Sequence, residues 1–60
     1  MNNAADILEH RDNFLNDLIT GSVSVEYVEA QGKNLKNSLA KRAGAKMAVR
    51  EFKEIESNRS

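Results

Sequence analysis

The chain has 60 residues, nine acidic and nine Lys or Arg, with a formal net charge of zero, one histidine, no cysteine and no proline. That length allows one domain at most, and a chain so short buries only about 60% of its unfolded surface, so partner association is the expected source of extra stability. The composition leaves no disulfide or thiolate metal site, His10 alone cannot form a His-based zinc site, and no apolar run approaches the roughly 18 residues of a membrane span.

The first helix is expected over about residues 3–20. Asn3 is its N-cap, Asp6 and Glu9 favour the positive end of the helix dipole, and Gly21 is its stop. Ile7, Leu8, Phe14, Leu15, Leu18 and Ile19 recur at helical spacing and make one apolar face. Gly21-Ser22-Val23 is a short connection, and Ser24 caps a second helix expected over about residues 24–43. Its stripe is Val25, Val28, Leu35 and Leu39, with Gly32 in the same row. A mid-helix glycine costs about 1 kcal/mol relative to alanine, and on an apolar stripe the usual compensation is close approach of another backbone.

Beyond that point the apolar stripe changes face to Ala45, Ala48, Phe52 and Ile55, with Gly44 at the changeover. Two readings fit. The helix breaks at Gly44 and a third segment, about residues 45–56, folds back, or one long helix continues and offers its second face to another copy. The expected fold is therefore all-α: an antiparallel helical hairpin with a third helical segment or a long second helix, dimeric, in a single domain.

Charge is split along the chain. Residues 1–20 carry Asp6, Glu9, Asp12 and Asp17 against Arg11, whereas residues 30–50 carry Lys33, Lys36, Lys41, Arg42, Lys46 and Arg50 with no acid. The basic positions wrap around the expected second helix, where they either complement the acidic first helix or meet an acidic partner. Arg11 falls inside the apolar arc of the first helix, which suits a snorkelling stem or a paired interface arginine. Phe52 and Ile55, with Met47, are core if the chain folds back and a docking stripe if it does not. Arg11, Lys33, Lys36, Lys41, Arg42, Lys46, Arg50, Phe52 and Ile55 are the candidate partner contacts. No catalytic, cofactor-binding or metal-ligating residue is expected, because the chain has no phosphate-binding glycine loop, nucleophile elbow or Cys/His pair.

Gly21-Ser22-Val23-Ser24-Val25 superficially resembles the turn of a helix-turn-helix. However, Asp17 stands where that motif needs a small residue, and one preceding helix gives little scaffold. A nucleic-acid-binding regulator using the 33–50 segment is kept as the alternative, although the segment lacks aromatic residues for base stacking. The stretch from Asp6-Ile7-Leu8-Glu9-His10-Arg11-Asp12 through Val25-Glu26-Tyr27-Val28-Glu29-Ala30-Gln31-Gly32 resembles small accessory proteins of bacteriophages and prophages, which are short, cysteine-free, proline-free, helical and highly charged. That resemblance implies a protein that binds a larger host or phage complex as an inhibitor or modulator, with a structural component of a phage particle as a further alternative. The expected setting is cytoplasmic, with no membrane and no small-molecule substrate.

Overall fold

The computed structural model describes residues 3–59, which form three helices: α1 (Ala4–Thr20), α2 (Val25–Lys33) and α3 (Leu39–Ser57), with no strand among the described residues. Each helix begins at a side-chain cap of the same geometry. Asn3 Oδ1 accepts from the Asp6 amide at 3.0 Å, Ser24 Oγ from the Tyr27 amide at 3.1 Å and Ser38 Oγ from the Lys41 amide at 3.1 Å. Each cap satisfies one of the amides that a helix start leaves without a partner. Gly21 ends α1 in the left-handed conformation at φ 78°, its amide directed at the Asp17 and Leu18 carbonyls. A side chain there would be strained by its own Cβ.

The expected second helix over about 24–43 is not continuous. It stops at Lys33, and residues 34–38 form a turn before α3 starts at Leu39. The cause is a run of turn-forming side chains. Asn34 Oδ1 accepts from the Lys36 amide at 3.0 Å, and the Asn34 carbonyl accepts from the Asn37 amide at 3.0 Å. Asn37 Nδ2 donates back to the Gln31 carbonyl at 2.9 Å and to Gln31 Oε1 at 3.1 Å, and Ser38 then caps α3. Such local side-chain bonds offer the backbone an alternative to the helical ladder. Leu35 and Leu39, expected on the apolar stripe, are thereby placed on the surface, 82% and 63% exposed. Replacing Ser38 by alanine should remove about 0.5–2 kcal/mol of stability, read as a lower urea midpoint by circular dichroism, while α3 stays helical beyond its first turn.

Gly44 is not a break. It lies inside α3 and is buried against α1, where a Cβ built on it would stand 2.6 Å from His10 Cβ, 2.8 Å from the Arg11 nitrogen and 2.9 Å from the Ile7 oxygen. The two helix backbones approach because this position has no side chain. α3 is the central element: it packs on both α1 and α2, which meet each other only marginally, so the expected first-to-second helix hairpin is not the main packed pair. α2 runs antiparallel to α3, with Glu29 opposite Lys53 and Gly32 opposite Lys46.

The core is Phe14 and Leu18 from α1, Val28 from α2, and Ala45, Ala48 and Val49 from α3, with Leu15, Val23, Val25 and Phe52 packed around it. The expected second stripe therefore turns inward for Ala45, Ala48 and Phe52, and Ile55 is half-buried near the end of α3. One edge of the α1 arc stays outside: Leu8 is 39% and Ile19 58% exposed.

Candidate functional site

Along α3, Arg42, Lys46, Val49, Arg50 and Lys53 follow steps of three and four residues and so share one face. The break after Lys33 lets α2 fold back beside that face, and the two helices enclose a groove of about 330 Å³ lined by Glu29, Lys33, Lys46, Val49, Arg50 and Lys53. Val49 is buried at its floor, and the four cations and one carboxylate are exposed around it. Gly32 shapes the wall. A Cβ there would meet Lys46 Cγ at 3.0 Å and the Arg42 carbonyl at 3.6 Å, so the missing side chain makes room for the Lys46 stem to lie over α2. The sequence-based expectation of a close backbone approach at Gly32 is met in part: the nearest neighbour is a lysine stem.

Glu29 Oε2 and Lys53 Nζ stand 3.6 Å apart across the groove, both largely exposed. Such a pair contributes little to stability and is easily exchanged for another partner. Lys33, Lys46 and Arg50 are left without a carboxylate within 4 Å among the described residues. Four cations against one acid over an apolar floor can bind an anion that also carries apolar surface. The groove holds no nucleophile beside a base, and no histidine.

The structure thus gathers three of the expected contact residues, Lys33, Lys46 and Arg50, into one place. The expectation that the charges wrap around a single helix is corrected by the turn at 34–38, which returns Lys33 to the α3 face. Arg50 also borders a smaller cleft of about 110 Å³ with Met47, Glu51 and Glu54. Lys36 is exposed on the turn, and Lys41 and Arg42 are half-buried in the first turns of α3. Arg42 Nε is buried without a hydrogen-bond partner. Arg11 lies on α1, its Nε and Nη2 donating to Asp12 Oδ1 at 3.0 and 2.8 Å, beside the Gly44 crossing and away from the groove. Phe52 is a core contact, and Ile55 is not among the residues lining the groove.

Glu29 and Lys53 were missed as site residues. Lys53 was legible as the residue seven positions after Lys46, but Glu51 ends the acid-free stretch before it. The acids of α1 make no ion pair with the basic segment among the described residues: the ion pairs there are Arg11–Asp12 and Glu29–Lys53, and neither joins α1 to α2 or α3. No cluster of His, Cys, Asp and Glu suited to a metal ion occurs among the described residues, and no described helix is long and apolar enough to cross a membrane. Comparison with known proteins finds no matching family model, no matching curated protein and no matching solved structure, so the functional reading rests on this geometry.

Proposed function

We propose that the protein is a helical protein-interaction module whose α2–α3 groove receives an acidic, amphipathic helical segment. The observation that carries this reading is the ring of Lys33, Lys46, Arg50 and Lys53 around the buried Val49. An apolar side chain of the segment would rest on Val49 and on the methylene stems of the lysines, while its carboxylates meet the ammonium and guanidinium groups. Occupancy by part of a larger complex would make the protein an inhibitor or modulator of that complex.

The groove favours this ligand over nucleic acid for two reasons. Glu29 on the rim repels phosphate, and no aromatic side chain lines the groove to stack a base. The total charge of zero also gives no long-range attraction to a polyanion.

The test is fluorescence anisotropy with a labelled helical peptide of alternating glutamate and leucine turns. Binding is expected for the native protein, and Lys46→Glu with Arg50→Glu should weaken it about tenfold or more, with helicity unchanged because both side chains are exposed. Equal affinity of the native and doubly reversed proteins would reject the groove. Absence of peptide binding together with strongly salt-dependent binding to random duplex DNA would reject this reading in favour of a nucleic-acid binder.

A further inference from the structure

We infer that the acidic segment received by this groove is α1 of a second copy, so that the chain forms a reciprocal two-fold dimer. This rests on the groove reading above and names its occupant.

The outer edge of α1 carries apolar and acidic side chains together. Leu8, Asp12, Leu15 and Ile19 are spaced four, three and four residues apart, which places them on one ridge of the helix. Leu8 and Ile19 are exposed, Leu15 is half-buried against the core, and the Asp12 side chain is 63% exposed. Glu9 is exposed beside this ridge. An acidic, amphipathic helical surface, the chemistry that the groove calls for, is therefore present on the same chain.

The chain cannot fill its own groove. α1 packs on the Gly44 side of α3, through Ile7, His10 and Arg11, whereas the groove opens between α3 and α2 on the Lys46 side. The Asp6 and Glu9 carboxylates accordingly have no cation within 4 Å among the described residues, and Lys46 and Arg50 have no acid. The unpaired charges of opposite sign lie on separate faces, as two mating surfaces require.

The spacings also match. Leu8 to Asp12 and Val49 to Lys53 each span four residues, about 6 Å at the α-helical rise, so an apolar contact and a charge contact fall in register. Seating Leu8 over Val49 brings Glu9 and Asp12, which lie within four residues of it, to the cationic rim. Asp12 can leave Arg11, because an exposed pair of neighbours holds it weakly. A two-fold axis makes the contact twice, helix into groove in both directions, and closes the assembly without leaving a free copy of either surface. A neutral protein also accumulates no net repulsion on pairing.

The test is sedimentation equilibrium on four samples. The native protein is expected to be a dimer whose dissociation constant rises with salt. A groove variant, Lys46→Glu with Arg50→Glu, and a helix variant, Glu9→Lys with Asp12→Lys, should each be monomeric, with the dissociation constant raised about tenfold or more. Mixing the two variants should restore the dimer, because an acidic groove then meets a basic helix and a basic groove meets an acidic helix. That rescue requires both variants to be folded. A native protein that stays monomeric to millimolar concentration, variants that remain dimeric, or a mixture without rescue would each overturn the inference. A monomer that still binds the glutamate–leucine peptide overturns only the second-copy assignment, and a monomer that does not bind it overturns both readings.

Discussion

Gly44→Ala is expected to destabilise the protein by about 1–3 kcal/mol, although alanine is the better helix former. For a domain of this size each kcal/mol lowers the melting midpoint by roughly 4–8 °C. The reason is the crossing of α3 over α1. The added methyl group would stand 2.8 Å from the Arg11 nitrogen and 2.9 Å from the Ile7 oxygen, and these are backbone atoms that move only if α1 moves. Moving α1 loosens Phe14 and Leu18 against Ala45 and Ala48, four of the six core residues.

Gly32→Ala is the control. Its tightest neighbour is Lys46 Cγ at 3.0 Å, the stem of a flexible side chain, and the Arg42 carbonyl at 3.6 Å is at ordinary contact distance. A gain of up to about 1 kcal/mol in helix propensity then offsets a small adjustment, so the midpoint should hold or rise. Thermal unfolding of both variants and the native protein at one shared concentration decides the matter, because self-association would make the midpoint concentration-dependent. A Gly44→Ala protein as stable as the native one would refute the close crossing.

The same glycines show what a sequence can and cannot display. Asn3, Gly21 and Ser24 were legible because capping is local: the cap and the backbone group it satisfies lie within four residues. Gly44 supported both a break and a continuous helix, and the deciding atoms belong to residues 7–11, more than 30 positions away. The turn at 34–38 was obscured because Leu35 and Leu39 continue the apolar period of Val25 and Val28, and periodicity does not register whether the backbone has already turned. The contrary signal was present in Asn34, Asn37 and Ser38, whose side chains hold that turn. The groove followed the same course. Lys33, Lys46 and Arg50 stood out as cations in an acid-free stretch, but only the turn brings Lys33 and Glu29 opposite Lys46 and Lys53.

Leu18→Ala is expected to remove about 2–5 kcal/mol, the range for truncating a buried leucine. Total stability at 0.05–0.15 kcal/mol per residue comes to roughly 3–9 kcal/mol for a chain of this length, so this one change removes much of it. The size of the effect follows from how the core is made. Close helix approach at Gly44 and through Ala45 and Ala48 leaves little space for large side chains, and Val28 is the largest fully buried one among the described residues. Leu18, 4% exposed, and Phe14 therefore carry an unusual share of the apolar burial. Leu35→Ser, by contrast, should change stability by no more than about 0.5 kcal/mol, because Leu35 projects from the turn into solvent. Urea midpoints of the two variants separate two architectures. A continuous second helix with Leu35 and Leu39 in its apolar seam requires Leu35→Ser to be nearly as damaging as Leu18→Ala, whereas α3 packed between α1 and α2 requires the difference to be several kcal/mol. The groove depends on the same result, because Lys33 reaches the face of Lys46 and Arg50 only if the chain turns between them.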